Sequence, residues 1–164
     1  MTKVVIFGNS GSGKSTLAAR LAKQKAIAHL DLDTIAWEPE MPPERLPLQE
    51  SEGQLRTFTR QNSAWVIEGC YADLLELALA QADEAIFLNL PVEDCIQNAK
   101  ARPWEPHKYA SREAQDANLA MLIDWIAQYP NRTDTFSQAA HRKLYESFKG
   151  AKSVYTSNTH ASHD

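Results

Sequence analysis

The 164 residues contain only two cysteines, Cys70 and Cys95, neither in a Cys-x-x-Cys pair. That excludes a disulfide framework and argues against a thiolate zinc site, so free thiols in a reducing compartment are expected. Positive charge is also short: 17 Lys and Arg face 21 Asp and Glu, for a formal net charge of −4. Holding a nucleic acid backbone calls for clustered Lys and Arg, so nucleic acid is not an expected partner and any anion site must be local. No tract is of low complexity and no internal repeat is present. A membrane-spanning stretch is missing as well, and no membrane is expected. The chain enters its first apolar run without the basic region, long apolar region and cleavage site of an export signal, which makes the cytoplasm the expected location. In that setting the sequon Asn131-Arg132-Thr133 is read as chance.

What is present describes an ordinary globular chain, 43% hydrophobic and 23% charged, of a length suited to one domain over residues 1–164. Lys3-Val4-Val5-Ile6-Phe7 is a nearly continuous apolar run, the pattern of a strand buried on both faces of a parallel sheet. A glycine-rich turn follows, and then helical spacing from Lys14 to Lys25. Ala28 to Leu32, Trp65 to Ile67 and Ala85 to Leu88 read as further strands, with Val154-Tyr155 as a fifth. Helices alternate with them: one around Leu74, Leu77 and Ala78, one from Val92 to Arg102 after Pro91, one from about Ser111 to Pro130, and a last one over Phe136 to Phe148, stopped by Gly150. Such alternation predicts an α/β fold of three layers, with a central parallel sheet of about five strands and ligands at the carboxyl ends of the strands.

Gly8-Asn9-Ser10-Gly11-Ser12-Gly13-Lys14-Ser15 satisfies G-x-x-x-x-G-K-[ST] at every fixed position. A random chain of this length would match with a probability on the order of 1% or less. The motif also sits between a predicted strand and a predicted helix, where its chemistry requires it. The glycines let backbone N–H groups converge on phosphate oxygens, and the helix N-terminus adds partial positive charge. Lys14 is expected to reach the β- and γ-phosphates and Ser15 to offer its hydroxyl to Mg²⁺, while Thr16 steadies the start of the helix. The expected ligands are therefore a nucleoside triphosphate and Mg²⁺, with no base-reading residue to separate ATP from GTP, so that ATP is a default set by resemblance alone.

With this loop at the start and Leu30-Asp31-Leu32-Asp33 about twenty residues later, the chain resembles the small P-loop kinases of nucleoside monophosphates and shikimate. It is most similar to adenylate-kinase-related ATPases of unassigned substrate, some labelled DNA topology modulation proteins. That likeness is carried by Trp65-Val66-Ile67-Glu68-Gly69-x-Tyr71 and Arg102-Pro103-Trp104-Glu105-Pro106. The resemblance implies a nucleoside monophosphate kinase-like core, an acceptor-binding insertion at about 34–63 and a short lid at about 102–112. By likeness to the shikimate kinase D-x-D pattern, Asp31 helps hold hydrated Mg²⁺ and Asp33 binds the acceptor hydroxyl or acts as its base. The alternation of a strand would point both to one face. Glu68 stands where nucleotide kinases carry Asp-Gly and shikimate kinase several glycines. It can reach Mg²⁺ through water, position the acceptor or serve a structural role, and the absent glycine run argues against shikimate itself. Asn89, at the end of the fourth strand, is left outside the site.

Phosphoryl transfer is mostly positioning and charge neutralisation, so further cations are needed beyond Lys14. Arg102, Lys108, Arg112 and Arg132 are the supply, and the resemblance favours Arg102 and Arg132 at the phosphates. Arg45, Arg56 and Arg60 are candidates for an anionic acceptor or for a solvated helix face. His107, His160 and His163 are read as exposed, and Trp37 as a packing residue. The first functional reading is an ATP-dependent kinase acting on a small hydroxylated or phosphorylated metabolite. The second is a nucleotide-binding regulator or slow ATPase acting with a protein or DNA partner; the oligomeric state is left open.

Overall fold

The computed structural model describes residues 2–37, 44–106 and 108–158. Pro39, Pro42 and Pro43 of the proline-rich stretch, and His107, His160 and His163, lie outside the described residues. The first strand β1 (Lys3–Gly8) leads through the glycine-rich loop into helix α1 (Lys14–Lys25), then β2 (Ala28–Asp31), the single turn α2 (Asp33–Ala36) and α3 (Leu48–Gln61). There follow β3 (Trp65–Gly69), α4 (Ala72–Leu79), β4 (Glu84–Leu88), α5 (Val92–Ala101), α6 (Arg112–Ala127), α7 (Gln138–Ser147) and β5 (Ala151–Tyr155). The five strands form one sheet in the order β2-β3-β1-β4-β5, and every pairing is parallel. This is the expected three-layer P-loop architecture.

The alternation of side chains along β1 divides the core in two. Val5 and Phe7 join Trp65, Ile67, Leu74 and Phe87 on the face covered by α2, α3, α4 and α7. Val4 and Ile6 join Leu17, Leu21, Val66, Ile86 and Ile126 on the face covered by α1, α5 and α6. Both faces of β1 are thus buried, as its unbroken apolar run requires. Helix α3 is tied down by Leu55, which is buried, and by Ser51, whose hydroxyl donates to the Ile35 carbonyl at 2.7 Å. Helices α6 and α7 start at side-chain caps, Ser111 accepting from the Ala114 N–H and Ser137 from that of Ala140. The last helix therefore begins after Phe136 rather than at it. Among the described residues, 102–106 and 108–111 form neither helix nor strand.

A buried polar chain stitches α7 to the sheet. His141 is fully buried; its Nε2 pairs with the Cys70 carbonyl at 2.8 Å, so it must be the protonated nitrogen, and Nδ1 accepts from the Tyr129 hydroxyl at 2.7 Å. Burial drives the His141 pKa down to about 4 from 6.5. The unfolded chain takes up this proton near pH 6.5 and the folded chain only near pH 4, so the imidazole's contribution is complete above 6.5 and disappears as the pH falls to 4. The loss is at most about 3 kcal/mol. Urea unfolding of the wild type and His141→Gln between pH 7 and 4 should show the wild type losing that much stability relative to the variant; a pH-independent difference would contradict the assignment.

Candidate functional site

The loop after β1 is shaped by glycines that other residues cannot replace cheaply. Gly11 and Gly13 adopt φ of 79° and 92°, and a Cβ on Gly11 would lie 2.4 Å from the Cys95 carbonyl oxygen. Three of the loop's carbonyls are occupied by side-chain donors. Lys14 Nζ donates to Asn9 O at 2.7 Å, Asn98 Nδ2 to Gly11 O at 2.8 Å and Asn158 Nδ2 to Ser12 O at 2.9 Å. Asn98 also donates to Asn158 Oδ1 at 2.9 Å, so α5 and the segment after β5 clamp the loop together. Turning carbonyls toward protein donors suits an anion cradle made of N–H groups. The buried Ser12 hydroxyl has no hydrogen-bond partner among the described residues, a further unused donor within the loop. These features fit phosphate.

Beside the loop, parallel pairing places Glu68 of β3 level with both Ile6 and Asp31. Glu68 is only 2% exposed and is satisfied from two sides, by the Ser15 hydroxyl at 2.8 Å and by His29 Nε2 at 3.0 Å. Asp31 ends β2. Asp33 lies one turn further on, at the start of α2 rather than on the strand, and its N–H donates to Asp31 Oδ1 at 2.9 Å. The two carboxylates still line one cleft. The Tyr71 hydroxyl donates to Asp33 Oδ1 and accepts from Trp37 Nε1 at 2.7 Å. Lys108 Nζ lies 3.5 Å from Asp33 and 4.0 Å from Asp31.

The electrostatics follow from crowding and burial. Burial, and then the neighbouring Glu68 and Asp33, raise the Asp31 carboxyl to about 6. Burial opposes the Lys108 charge, but Asp33, Asp31 and Glu105 outweigh it and hold that ammonium above its ordinary value. Cys70 also lines the cleft, yet desolvation pushes its thiol up to about 12, so it stays protonated at neutral pH and is a poor nucleophile. Ser15, Glu68 and Asp31 make a donor set suited to Mg²⁺, one hydroxyl and two carboxylates. Among the described residues no three His, Cys, Asp or Glu side chains are gathered to hold a metal by themselves. Such a set fits an ion that takes most of its ligands from phosphates and water.

Two clefts meet at the loop. One, of about 380 Å³, is lined by Gly11, Gly13, Thr16, Arg20 and Asn158. The other, of about 270 Å³, runs from Ser10, Lys14 and Ser15 to Asp31, Asp33, Glu68 and Tyr71. Gly11 and Arg102 line both. The structure thus brings together Lys14, Ser15, Asp31, Asp33, Glu68 and Arg102, with Gly8, Asn9 and Gly13 in the loop. Arg132 is held elsewhere: its guanidinium lies 3.6 Å over the Trp125 ring and pairs with Asp134 at 2.5 and 3.0 Å. Trp125 lines the second cleft, so Arg132 backs the wall instead of opening onto it. Asn89 accepts from Gln138 at 2.9 Å and stays outside. Sequence reasoning missed His29, Tyr71, Asn98 and Asn158. His29 had a signal, since it stands two residues before Asp31 on a strand; the asparagines had none.

A family model described as "AAA domain" matches residues 4–118. The chain belongs to this family of P-loop NTPases. The family includes kinases such as shikimate and adenylate kinase, and its members generally bind nucleotide with Mg²⁺. Over 139 residues the chain is 24% identical to the uncharacterized protein YqaC of Bacillus subtilis (strain 168), covering 83% of this chain and 78% of that protein. It also resembles the crystal structure of an uncharacterized protein from Eubacterium ventriosum ATCC 27560, with a TM-score of 0.50 and 14% identity over 99% of this chain and 95% of the other, which speaks to fold alone. Among the described residues no helix is long and apolar enough to cross a membrane.

The left-handed backbone at Gly11 yields a direct test. Gly11→Ala incurs about 1–2 kcal/mol from φ alone, roughly 2–8 °C in melting temperature for a domain of this size, and its Cβ clash adds to that. Thermal unfolding should show the drop, together with weakened nucleotide binding.

Proposed function

We propose that this protein is an ATP-dependent phosphotransferase that moves the γ-phosphoryl group to a hydroxyl of a small hydroxylated or phosphorylated metabolite. The observation that carries this reading is the pair of clefts meeting at Gly11 and Arg102, one behind the phosphate loop and one in front of it, with Asp33 in the second. Lys14, Ser15, Asp31 and Glu68 in the second cleft serve nucleotide and metal, whereas Asp33, held by Tyr71 and Lys108, is left over for an acceptor.

In this reading the loop from Gly8 to Ser15 takes the triphosphate and Thr16 supports it. Lys14 leaves the Asn9 carbonyl for the β- and γ-phosphates. Ser15, with Asp31 and Glu68, holds Mg²⁺, which when bound neutralises charge on the β- and γ-phosphates. The Ser15–Glu68 hydrogen bond already places these two groups side by side. Arg102, 3.4 Å from Glu105, swings between the clefts to screen the transferring group. Asp33 accepts the acceptor's hydroxyl proton as that oxygen bonds to the γ-phosphorus. The bond from phosphorus to the β,γ-bridging oxygen breaks and ADP departs. Tyr71 and Lys108, both in contact with Asp33, orient the carboxylate. Arg132 is assigned to holding Trp125 in the acceptor wall.

The test is ADP release from Mg-ATP with and without a panel of small hydroxyl acceptors. Acceptor-dependent turnover should appear, fall to background in Lys14→Ala and drop by about 10²–10⁴ in Asp33→Asn. A response flat across the panel with nucleotide binding intact would remove the kinase reading and favour a slow ATPase or nucleotide-dependent regulator.

A further inference from the structure

We infer that Arg20 is a nucleoside-binding residue, its guanidinium lying flat against the base of the bound triphosphate in the cleft behind the phosphate loop. This rests on the nucleotide part of the reading above and stands whether or not an acceptor is phosphorylated.

The loop divides its residues between the two clefts. Ser10, Lys14 and Ser15 line the second, with Asp31 and Glu68, whereas Gly13 and Thr16 line the first. With Lys14 and the Mg²⁺ donors taking the β- and γ-phosphates on one side, the nucleoside end leaves the loop past Gly13 and Thr16. It then enters the first cleft, a gap between two helices. One wall is α1, from which Thr16, Leu17 and Arg20 face the cleft; the other is the end of α5, with Asn98, Ala101 and the capping Arg102. Thr16 and Arg20 are four residues apart, neighbours on one helix face with about 5–6 Å between their Cβ atoms. A group carried on a phosphate at Thr16 is therefore within reach of the Arg20 side chain.

The walls suit a ring better than a further phosphate. Leu17, Ala101 and Pro103 supply apolar surface, and no Asp or Glu lines the cleft. At about 380 Å³ it falls within the ~300–1,000 Å³ typical of small-ligand sites, room for a base and its sugar. Arg20 is the group there with nothing else to hold. Helix α1 contains no Asp or Glu, and the residues three and four positions away are Thr16, Leu17, Lys23 and Gln24. Among the described residues the half-buried Arg20 makes no hydrogen bond or ion pair. The other polar side chains nearby are engaged: Asn98 on Gly11 and Asn158, Asn158 on Ser12, and Arg102 on Glu105 at 3.4 Å. A planar, weakly hydrated guanidinium stacks on aromatic faces, and every base offers such a face whatever its edge carries.

Titration calorimetry on the full chain with Mg²⁺ tests the contact, using ATP, GTP and ribose 5′-triphosphate, which keeps the sugar and phosphates but lacks the base. Arg20→Met keeps the apolar stem and removes the guanidinium, Arg20→Ala removes both, and melting temperatures check that each variant is folded. Both should raise the Kd for ATP and for GTP by about threefold to thirtyfold, while the Kd for ribose 5′-triphosphate stays within about twofold. An equal loss for ribose 5′-triphosphate overturns the inference, because the contact is then to sugar or phosphate. An unchanged Kd for ATP overturns it by making Arg20 a solvated residue, and a loss confined to one nucleotide does so by showing that a base edge is read. Each of these leaves the kinase reading standing. A wild type that binds neither ATP nor GTP removes the nucleotide reading and this inference together.

Discussion

The pairing of β1 with β3 on one side and β4 on the other is the constraint from which the site follows. Because all strands run parallel, their carboxyl ends fall on one edge, and the register of β1 with β3 sets Ile6 level with Glu68 and Phe7 level with Gly69. The phosphate loop must leave the sheet at that edge. Glu68 and Asp31 arrive beside it from strands that share no local sequence with it. A slip of one residue in β3 would turn Glu68 to the other face and bury Ile67 among polar groups. The apolar matching of β1 to its neighbours on both faces opposes that slip, so core packing holds the polar geometry.

Burying a carboxylate such as Glu68 would be costly without partners, and the fold supplies two, Ser15 from the helix after the loop and His29 from the neighbouring strand. The same logic runs through the second cleft, where Tyr71 and Lys108 satisfy Asp33, and through the back of the site, where Asn98 and Asn158 fasten loop carbonyls. These polar groups thus have partners within the protein. Lys14 on the Asn9 carbonyl is the plainest instance: its ammonium is held within the loop by a neutral oxygen.

Sequence reading succeeded where one local pattern implied one structure. The apolar run Val4 to Phe7, the glycine spacing and Lys14-Ser15 together specified strand, loop and helix, and the structure places β1 and α1 there. It was less informative where the chain turns. Asp33 was expected on the strand with Asp31, but the chain enters α2 after Leu32 and the two acids meet through an N–H bond to a carboxylate. Arg132 was expected at the phosphates from the resemblance to the small P-loop kinases. Asp134, two residues on, and the Trp125 ring engage it first, and that competition depends on side-chain directions that spacing does not encode.

Composition, the parallel α/β order and the anion-binding loop were determined by the sequence itself, because each rests on short-range periodicity or on backbone angles that only glycine tolerates. The tertiary structure decided what faces the loop. Which side chains meet Glu68, which cations are already paired, and which rings wall the second cleft all depend on residues separated by tens of positions. Their contacts exist only once the strands are in register and the helices are packed on both faces of the sheet.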